Sequence, residues 1–326
     1  MRRSFRFALP AVAVALLAVL GGGCGDDGDN DSDGNSAAAT TGVIAAAAAV
    51  DDPFPVTIAA ANGDVTIDVR PSRIVSLSPV PTEMLFAVGA GDQVIAADSL
   101  SNYPPEAPMT DLSAYEPNIE AIAERQPDLV VLTDDINDVV AGLSALGIPV
   151  LQVAAAATID DTYAQLEQLG AATGHVADAV ALVATMQQRI GDVLGDVVPQ
   201  AEPLTYYHEL DNTLYTVTSQ TFIGEVYADF GLVNIADAAD PDGTGYPQLS
   251  AEFILEQDPA LIFLADTKCC GESAATAAAR PGWSELRAVR NGTVIELDDD
   301  VASRWGPRVV ELYESIAAAI SKVPAG

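Results

Sequence analysis

The stretch Asn118-Ile-Glu-Ala-Ile-Ala-Glu-Arg-Gln-Pro-Asp-Leu-Val-Val-Leu132 returns, altered, as Ser250-Ala-Glu-Phe-Ile-Leu-Glu-Gln-Asp-Pro-Ala-Leu-Ile-Phe-Leu264. The two copies run at a constant offset of 132 residues, the separation of Glu252 from Glu120. They share Glu120/Glu252, Ile122/Ile254, Glu124/Glu256, Pro127/Pro259, Leu129/Leu261 and Leu132/Leu264. Asn118 and Ser250 are both good helix N-caps, and the proline in each copy ends the helix before an apolar strand begins. Helix–proline–strand units resemble one another through shared physics alone. The matched glutamates favour duplication, because burial does not require them.

Outward from this unit the texture is uniform. Short apolar runs at Ile74–Leu77, Val94–Ala97, Leu129–Thr133 and Val150–Val153 alternate with helical stretches at Thr82–Val88, Asn118–Arg125, Asn137–Leu146 and Asp160–Thr173. After Pro199 and Pro203 the alternation resumes, with strands at Leu204–His208, Leu232–Ile235, Leu261–Ala265 and Thr293–Leu297. The helices among them are expected near Phe222–Phe230, Ser250–Gln257, Trp283–Val289 and Pro307–Ser321. Continuous apolar strands separated by helices indicate parallel sheets covered on both faces. Between the two series lies an amphipathic stretch, about Ala177 to Val197, with Val183, Met186, Ile190, Val193 and Val197 at helical spacing.

The expected fold is therefore α/β, with two similar lobes joined by a single long rigid helix. Each lobe has a central, mainly parallel sheet flanked by helices. The N-terminal lobe covers 53–175 and leads with a β-hairpin (Val56, Ile58; Val65, Ile67, Val69) turning at Asn62-Gly63. The connecting helix covers 176–200 and the C-terminal lobe 201–323. The carboxyl ends of both sheets are expected to face a common crevice, where open α/β sheets place ligands.

Composition narrows the function. Of 326 residues, 49% are hydrophobic and mean hydropathy is +0.24, which rules out general disorder. Fourteen Lys and Arg against 47 Asp and Glu leave a net charge of −33, a balance that excludes nucleic-acid partners. Two His and three Cys cannot supply a site of three or four imidazole or thiolate ligands without carboxylates, and no resident metal site or cofactor is expected. Gly89-Ala-Gly91 lacks the third glycine of a dinucleotide fingerprint, and there is no P-loop, G-x-S-x-G elbow or H-E-x-x-H. No enzymatic activity is expected; an exported metal-dependent hydrolase is the distant alternative.

Residues 1–23 run from Arg2, Arg3 and Arg6 into an apolar stretch, Phe7 to Leu20, and then Gly21-Gly22-Gly23-Cys24. This reads as an export signal, too short in its apolar run to span a bilayer comfortably. The small residues before Cys24 resemble a lipobox, with Leu20 one place further from the Cys than usual. Lipidation at Cys24 is expected. The acidic, Ala-rich segment 24–52, with Asp26, Asp27, Asp29, Asp31 and Asp33, reads as a flexible tether. Cleavage removes three Arg and no acid, taking the charge from −33 to −36. The expected place is the outer face of the cytoplasmic membrane, with the lipid anchor as the only membrane contact.

After the tether, the chain resembles the class III substrate-binding proteins of ABC importers, which carry cobalamin, ferric siderophores and haem. The resemblance rests on Arg73-Ile-Val-Ser-Leu-Ser-Pro-Val-Pro-Thr-Glu83, Ser101-Asn-Tyr-Pro-Pro105, the two repeat segments, Tyr246-Pro-Gln-Leu-Ser250 and Val289-Arg-Asn-Gly-Thr-Val294. It implies a monomer that holds a small metal chelate between its lobes and docks on a permease dimer with its ATPase. Glu120 and Glu252 fall where one glutamate per lobe meets permease arginines. An acid in a first helical turn also simply complements the helix dipole.

The cobalamin-binding branch is most similar at Tyr103-Pro-Pro, Tyr246-Pro-Gln-Leu-Ser and Asp300-Val-Ala-Ser-Arg304 followed by Pro307-Arg308. That likeness implies ligand contacts at Tyr103, Tyr115, Tyr246, Asp300, Arg304 and Trp305. Tyrosines stand where that branch has tryptophans, and Leu100 stands where it has an aromatic residue, so ferric siderophores and haem remain alternative cargoes. Asp300 and Arg304, four apart, also make an ordinary local ion pair. His208 is expected as a satisfied core or rim histidine, with a metal or haem ligand the alternative. Cys269 and Cys270 follow a strand and are expected to staple a loop as a vicinal disulfide or to stay as thiols, with metal coordination a third option.

Overall fold

The computed structural model describes residues 53–323. The signal, Cys24 and the tether lie outside the described residues. The chain opens with a hairpin of β1 (Val56–Ala60) and β2 (Gly63–Ile67). The first lobe then runs β3 (Ile74–Leu77), α1 (Pro79–Ala87), β4 (Val94–Ala97), α2 (Ile119–Ala123), β5 (Leu129–Leu132), α3 (Val139–Ala145), β6 (Val150–Gln152) and α4 (Ile159–Thr173). Helix α5 (Val176–Asp196) connects it to the second lobe. That lobe runs β7 (Thr205–Glu209), α6 (Phe222–Ala228), β8 (Val233–Asn234), α7 (Ala251–Gln257), β9 (Leu261–Leu264), α8 (Ala274–Ala279), α9 (Arg287–Asn291), β10 (Val294–Glu296), α10 (Asp299–Ser303) and α11 (Val309–Ser321).

The two sheets have the same topology. One has the order β4-β3-β5-β6 and the other β8-β7-β9-β10, and every pairing within them is parallel. The duplication reaches backbone detail. Asn118 accepts from the Ala121 amide and Ser250 from the Phe253 amide, at 2.9 and 3.1 Å. Gln126 and Asp258, matched at the same offset, both take left-handed backbone (φ 51° and 42°) just before the proline. The Asp128 amide donates to the Arg73 carbonyl, and the Ala260 amide to the Thr205 carbonyl, both at 3.0 Å.

Each sheet is buried on both faces, as its continuous apolar strands require. Alternate residues of β5 (Leu129 and Val131) and of β9 (Leu261 and Phe263) enter one core that includes Val183, Met186 and Ile190 of α5 and is continuous through both lobes. The residues between them face separate cores, Val130 and Leu132 with Ile122 and Leu143, and Ile262 and Leu264 with Ile254 and Trp283. At 1.5 Å per residue, α5 spans about 30 Å. Its amphipathic stripe joins α4 and α11 in that shared core, so the lobes are tied by packing as well as by the chain.

Several expectations need correction. The hairpin turns at Ala61-Asn62, with Gly63 already paired to Ala60. The Asn62 side chain is spent elsewhere, donating to the Val150 carbonyl and accepting from the Gln152 amide, which fastens the turn to β6. Val69 lies beyond β2 and is exposed. Helix α1 starts three residues earlier than expected because Ser78 is extended and Pro79 opens the helix, where a missing N–H costs nothing. The expected helix at Asn137–Leu146 begins as a 3-10 turn, with Asn137 and Asp138 left-handed, before α3. The Trp283–Val289 helix is split at extended Leu286 into a 3-10 turn and α9. Helices α8 and α10 were not anticipated.

Candidate functional site

The residues that follow the carboxyl ends of the two sheets meet. From the first lobe come Glu83 on α1 and Asn102 on the loop after β4. From the second come Asp300 and Arg304, on and after α10, and Arg308 just before α11. Glu83 sits on a helix whose neighbours Val80, Met84 and Leu85 are core residues, and its side chain is only 1% exposed. A carboxylate so placed requires partners, and it receives them from the other lobe. Arg304 Nη1 donates to Glu83 Oε1 at 2.7 Å; Arg308 donates through Nη2 to Oε1 at 2.7 Å and through Nε to Oε2 at 2.9 Å. The loop between the two arginines passes close over the carboxylate at Gly306, where a Cβ would be in van der Waals contact with Glu83 Oε2 at 3.4 Å.

Asp300 and Arg304 do form the local pair, at 2.6 Å, and it is part of this lattice. Arg304 Nη1 also donates to Asn102 Oδ1 at 2.9 Å, while Asn102 Nδ2 donates to Asp300 Oδ2 at 3.1 Å. Lys268 Nζ, on the loop after β9, bonds Asp298 and Asp300. Tyr103 lies under the Arg308 guanidinium, 4.1 Å from its carbon to the ring centroid, and shares with Glu83 and Arg189 a pocket of about 340 Å³. Trp305 is half-buried, its indole N–H donating to Gln165 Oε1 of α4 at 3.1 Å.

Tyr115 stands apart from this lattice. It is 67% exposed and, with Leu100 and Asp134, borders a pocket of about 80 Å³ at the carboxyl ends of β3 and β5. Asp98 is part of that pocket; burial raises its pKa, against hydrogen bonds from Ser101 and the Leu100 amide and the nearby positive charge of Arg304. Tyr246 is 53% exposed, on a ribbon in which 245–249 pairs with 214–218 beyond β7. Exposed Tyr215, opposite Gln248 on that ribbon, went unnoticed in the sequence. Glu83 and Arg308 lie within the quoted motifs but carry no site role there, although a lone acid in an otherwise buried helix is a legible signal that a cation must come from elsewhere.

Behind the second lobe's edge lies another ionic cluster. Glu209, fully buried at the end of β7, receives both Arg280 Nη1 and Nη2, and Arg280 also bonds Glu272 at 2.9 Å. Asp266, fully buried after β9, has no partner for either carboxylate oxygen. Burial first, then the charges of Glu209 and Glu272, push its pKa up to about 7. His208 is wholly buried, bonds the Tyr227 hydroxyl at 2.9 Å and is held neutral, its pKa lowered by burial to about 3. It is a core residue. Glu120 and Glu252 are both exposed in the first turns of α2 and α7. Cys269 and Cys270 are free, exposed thiols, so the staple is not formed. Among the described residues, no group of three or more His, Cys, Asp or Glu is placed to hold a metal ion.

Comparison with known proteins agrees with this architecture. Residues 74–301 match the family model described as periplasmic binding protein. The chain is 32% identical over 277 residues to the uncharacterized ABC transporter substrate-binding lipoprotein YvrC of Bacillus subtilis (strain 168), covering 82% of this chain and 86% of that one. It is 34% identical over 279 residues to a cobalamin-binding protein of Halobacterium salinarum, covering 82% and 74%. Among solved structures, the periplasmic vitamin B12 binding protein BtuF of Vibrio cholerae superposes with a TM-score of 0.63 at 27% identity, covering 77% of this chain and 96% of that one.

Proposed function

The chain belongs to the periplasmic binding protein family, and from that premise we propose that it captures a corrinoid between its lobes and delivers it to an ABC permease. It is a binding protein, with no reaction to catalyse. The observation that carries the reading is the meeting of the two carboxyl edges, each rimmed by exposed apolar or aromatic side chains: Leu100, Tyr103 and Tyr115 on one lobe, Tyr215 and Tyr246 on the other. Such surfaces suit a large, flat ligand. The corrinoid assignment draws support from the cobalamin-binding relative.

In this reading Tyr115 and Tyr246 wall the ligand, Tyr103, Trp305, Asp300 and Arg304 form the floor where the lobes join, and the ion pairs there set the cleft's width. Glu120 and Glu252 present one carboxylate per lobe to the permease. Cys24 carries the lipid that keeps the monomer on the outer face of the cytoplasmic membrane. Titration with cyanocobalamin, followed by tryptophan emission and calorimetry, tests the assignment. Saturable one-to-one binding of submicromolar affinity supports it; no heat and no emission change sinks the corrinoid, and ferric siderophores and haem take its place in the same assay.

A further inference from the structure

The cavity of about 80 Å³ at the carboxyl ends of β3 and β5 is walled by polar groups that the fold leaves unused. Thr133, the residue after β5, lines it; Thr133 is 5% exposed and its hydroxyl has no hydrogen-bond partner. A buried hydroxyl without a partner costs stability until something pairs with it. The fold does not require that hydroxyl. At the repeat offset of 132, Thr133 and Asp134 match Ala265 and Asp266, and Ala265 fills its place with a methyl group. Asp266 is sealed from solvent, whereas Asp134 is exposed, lines the cavity and makes no hydrogen bond or ion pair among the described residues. A third wall group, Asp98, is already held by the Ser101 hydroxyl and, at 3.3 Å, by the Leu100 amide. The start of α1 borders the same cavity, but Pro79 and Pro81 in its first turn withhold two of the amide donors that a helix start presents to anions. Exposed Leu100 and Tyr115 rim this acceptor-rich floor.

We propose that this cavity takes a primary carboxamide from the periphery of the chelate, its carbonyl accepting from the Thr133 hydroxyl and its N–H donating to the Asp134 carboxylate. The inference rests on the corrinoid reading above and sharpens it, because a corrinoid is rimmed with primary carboxamides whereas haem carries carboxylates. The cavity has room for one small side group and not for a ring system. A carboxylate arm would meet the acids Asp98 and Asp134 and find few donors. A hydrocarbon arm would leave the Thr133 hydroxyl unpaired, and an ammonium arm would offer that hydroxyl no acceptor. The carboxamide alone of these supplies both the donor and the acceptor that the walls lack.

The test is calorimetry on the full chain and its Thr133→Val and Asp134→Asn variants, with cyanocobalamin and its monocarboxylic acids, each of which has a single peripheral carboxamide converted to carboxylate. One of the acids is expected to bind the unaltered protein about tenfold or more weakly than cyanocobalamin, through like-charge repulsion. Asp134→Asn should recover much of that loss. Thr133→Val should weaken cyanocobalamin about two- to tenfold, the scale of one hydrogen bond, without lowering the melting temperature, since the hydroxyl it removes has no partner in the protein. A fall in melting temperature with affinity unchanged makes Thr133 structural and overturns the subsite. Acids bound as tightly as cyanocobalamin, or a loss that neither variant alters, also overturn it and leave the corrinoid reading intact. If cyanocobalamin does not bind the unaltered chain, the corrinoid reading fails, and haemin is compared with its diamide. Preference for the diamide that Thr133→Val removes keeps the carboxamide subsite, whereas preference for haemin, or binding of neither, overturns both.

Discussion

Glu83 and Arg304 are 221 residues apart in the chain and 2.7 Å apart in space, one on each lobe. Arg308 closes on the same carboxylate, and Asn102 and Asp300 complete the circuit. Because Glu83 is nearly inaccessible, this is a desolvated ionic junction and not a surface pair, and its parts are worth most when all are present. The lobes thus share a hydrophobic core along α5 and a polar lock where the residues after their carboxyl edges meet.

Glu83→Gln keeps the shape and removes the charge, leaving Arg308 without its counter-ion and Arg304 with Asp300 alone. The expected loss of stability is about 3 kcal/mol, within the range for one partner of a buried pair, read by denaturant unfolding. Restoring neutrality with Glu83→Gln/Arg304→Gln should recover part of it. If the single and double variants lose equal stability, the junction is not coupled and the lock does not exist.

Much of this fold was legible because it is written locally. The repeat, the capping residues Asn118 and Ser250, and the apolar strand runs each involve residues a few positions apart. The ionic junction is not local: Glu83 and Arg308 sit in quoted motifs, yet nothing within either motif names its partner. The short helices α8 and α10 escaped for another reason. Ala274–Ala279 has no amphipathic stripe, and only its Ser273/Thr276 capping box marks it; Asp299–Ser303 is announced by little more than the Asp298 cap. Tyr215 was hidden because its exposure follows from the ribbon it shares with Gln248.

Asp266 sets a pH dependence. With its pKa raised from 3.8 to about 7 in the folded state, the native protein binds a proton that the unfolded chain releases. Stability is therefore fullest below pH 4 as far as this group is concerned, and falls as pH rises to about 7. Asp266→Asn should flatten that fall and stabilise the protein at pH 8 by on the order of 2–4 kcal/mol. Thermal melts of both proteins between pH 4 and 8 measure it; parallel curves would refute the assignment.

The two tryptophans separate cleft from core. Trp283 is 1% exposed beneath the second sheet, edge-on to Tyr207 and under Arg280. Trp305 is half-buried where the lobes join. Ligand-induced emission change is expected to vanish in Trp305→Phe and persist in Trp283→Phe. The opposite pattern would place the ligand away from the junction.

Tyr115 makes few demands on the fold, being two-thirds exposed, so its removal isolates a binding role. Tyr115→Ala is expected to leave the melting temperature unchanged and to weaken corrinoid binding by roughly 0.5–1.5 kcal/mol, the scale of one aromatic contact. Calorimetry on the variant decides; unchanged affinity would remove Tyr115 from the cleft wall.

Glu120 and Glu252 occupy the same place in two copies of one unit, each in the first turn of a helix capped by the residue two before it. As helix-end acids they are worth at most about 1 kcal/mol each, and exposure gives them no core contact to lose. A double substitution, Glu120→Ala with Glu252→Ala, should therefore barely move the melting temperature and should leave ligand affinity as it was. If the pair orients the protein on a basic permease surface, uptake by cells should fall steeply, because charge complementarity governs encounter and register more than affinity. Each single variant should fall less than the double. Intact uptake in the double variant would reduce the two glutamates to helix-end electrostatics, and the repeated unit would then owe its matched acids to folding alone.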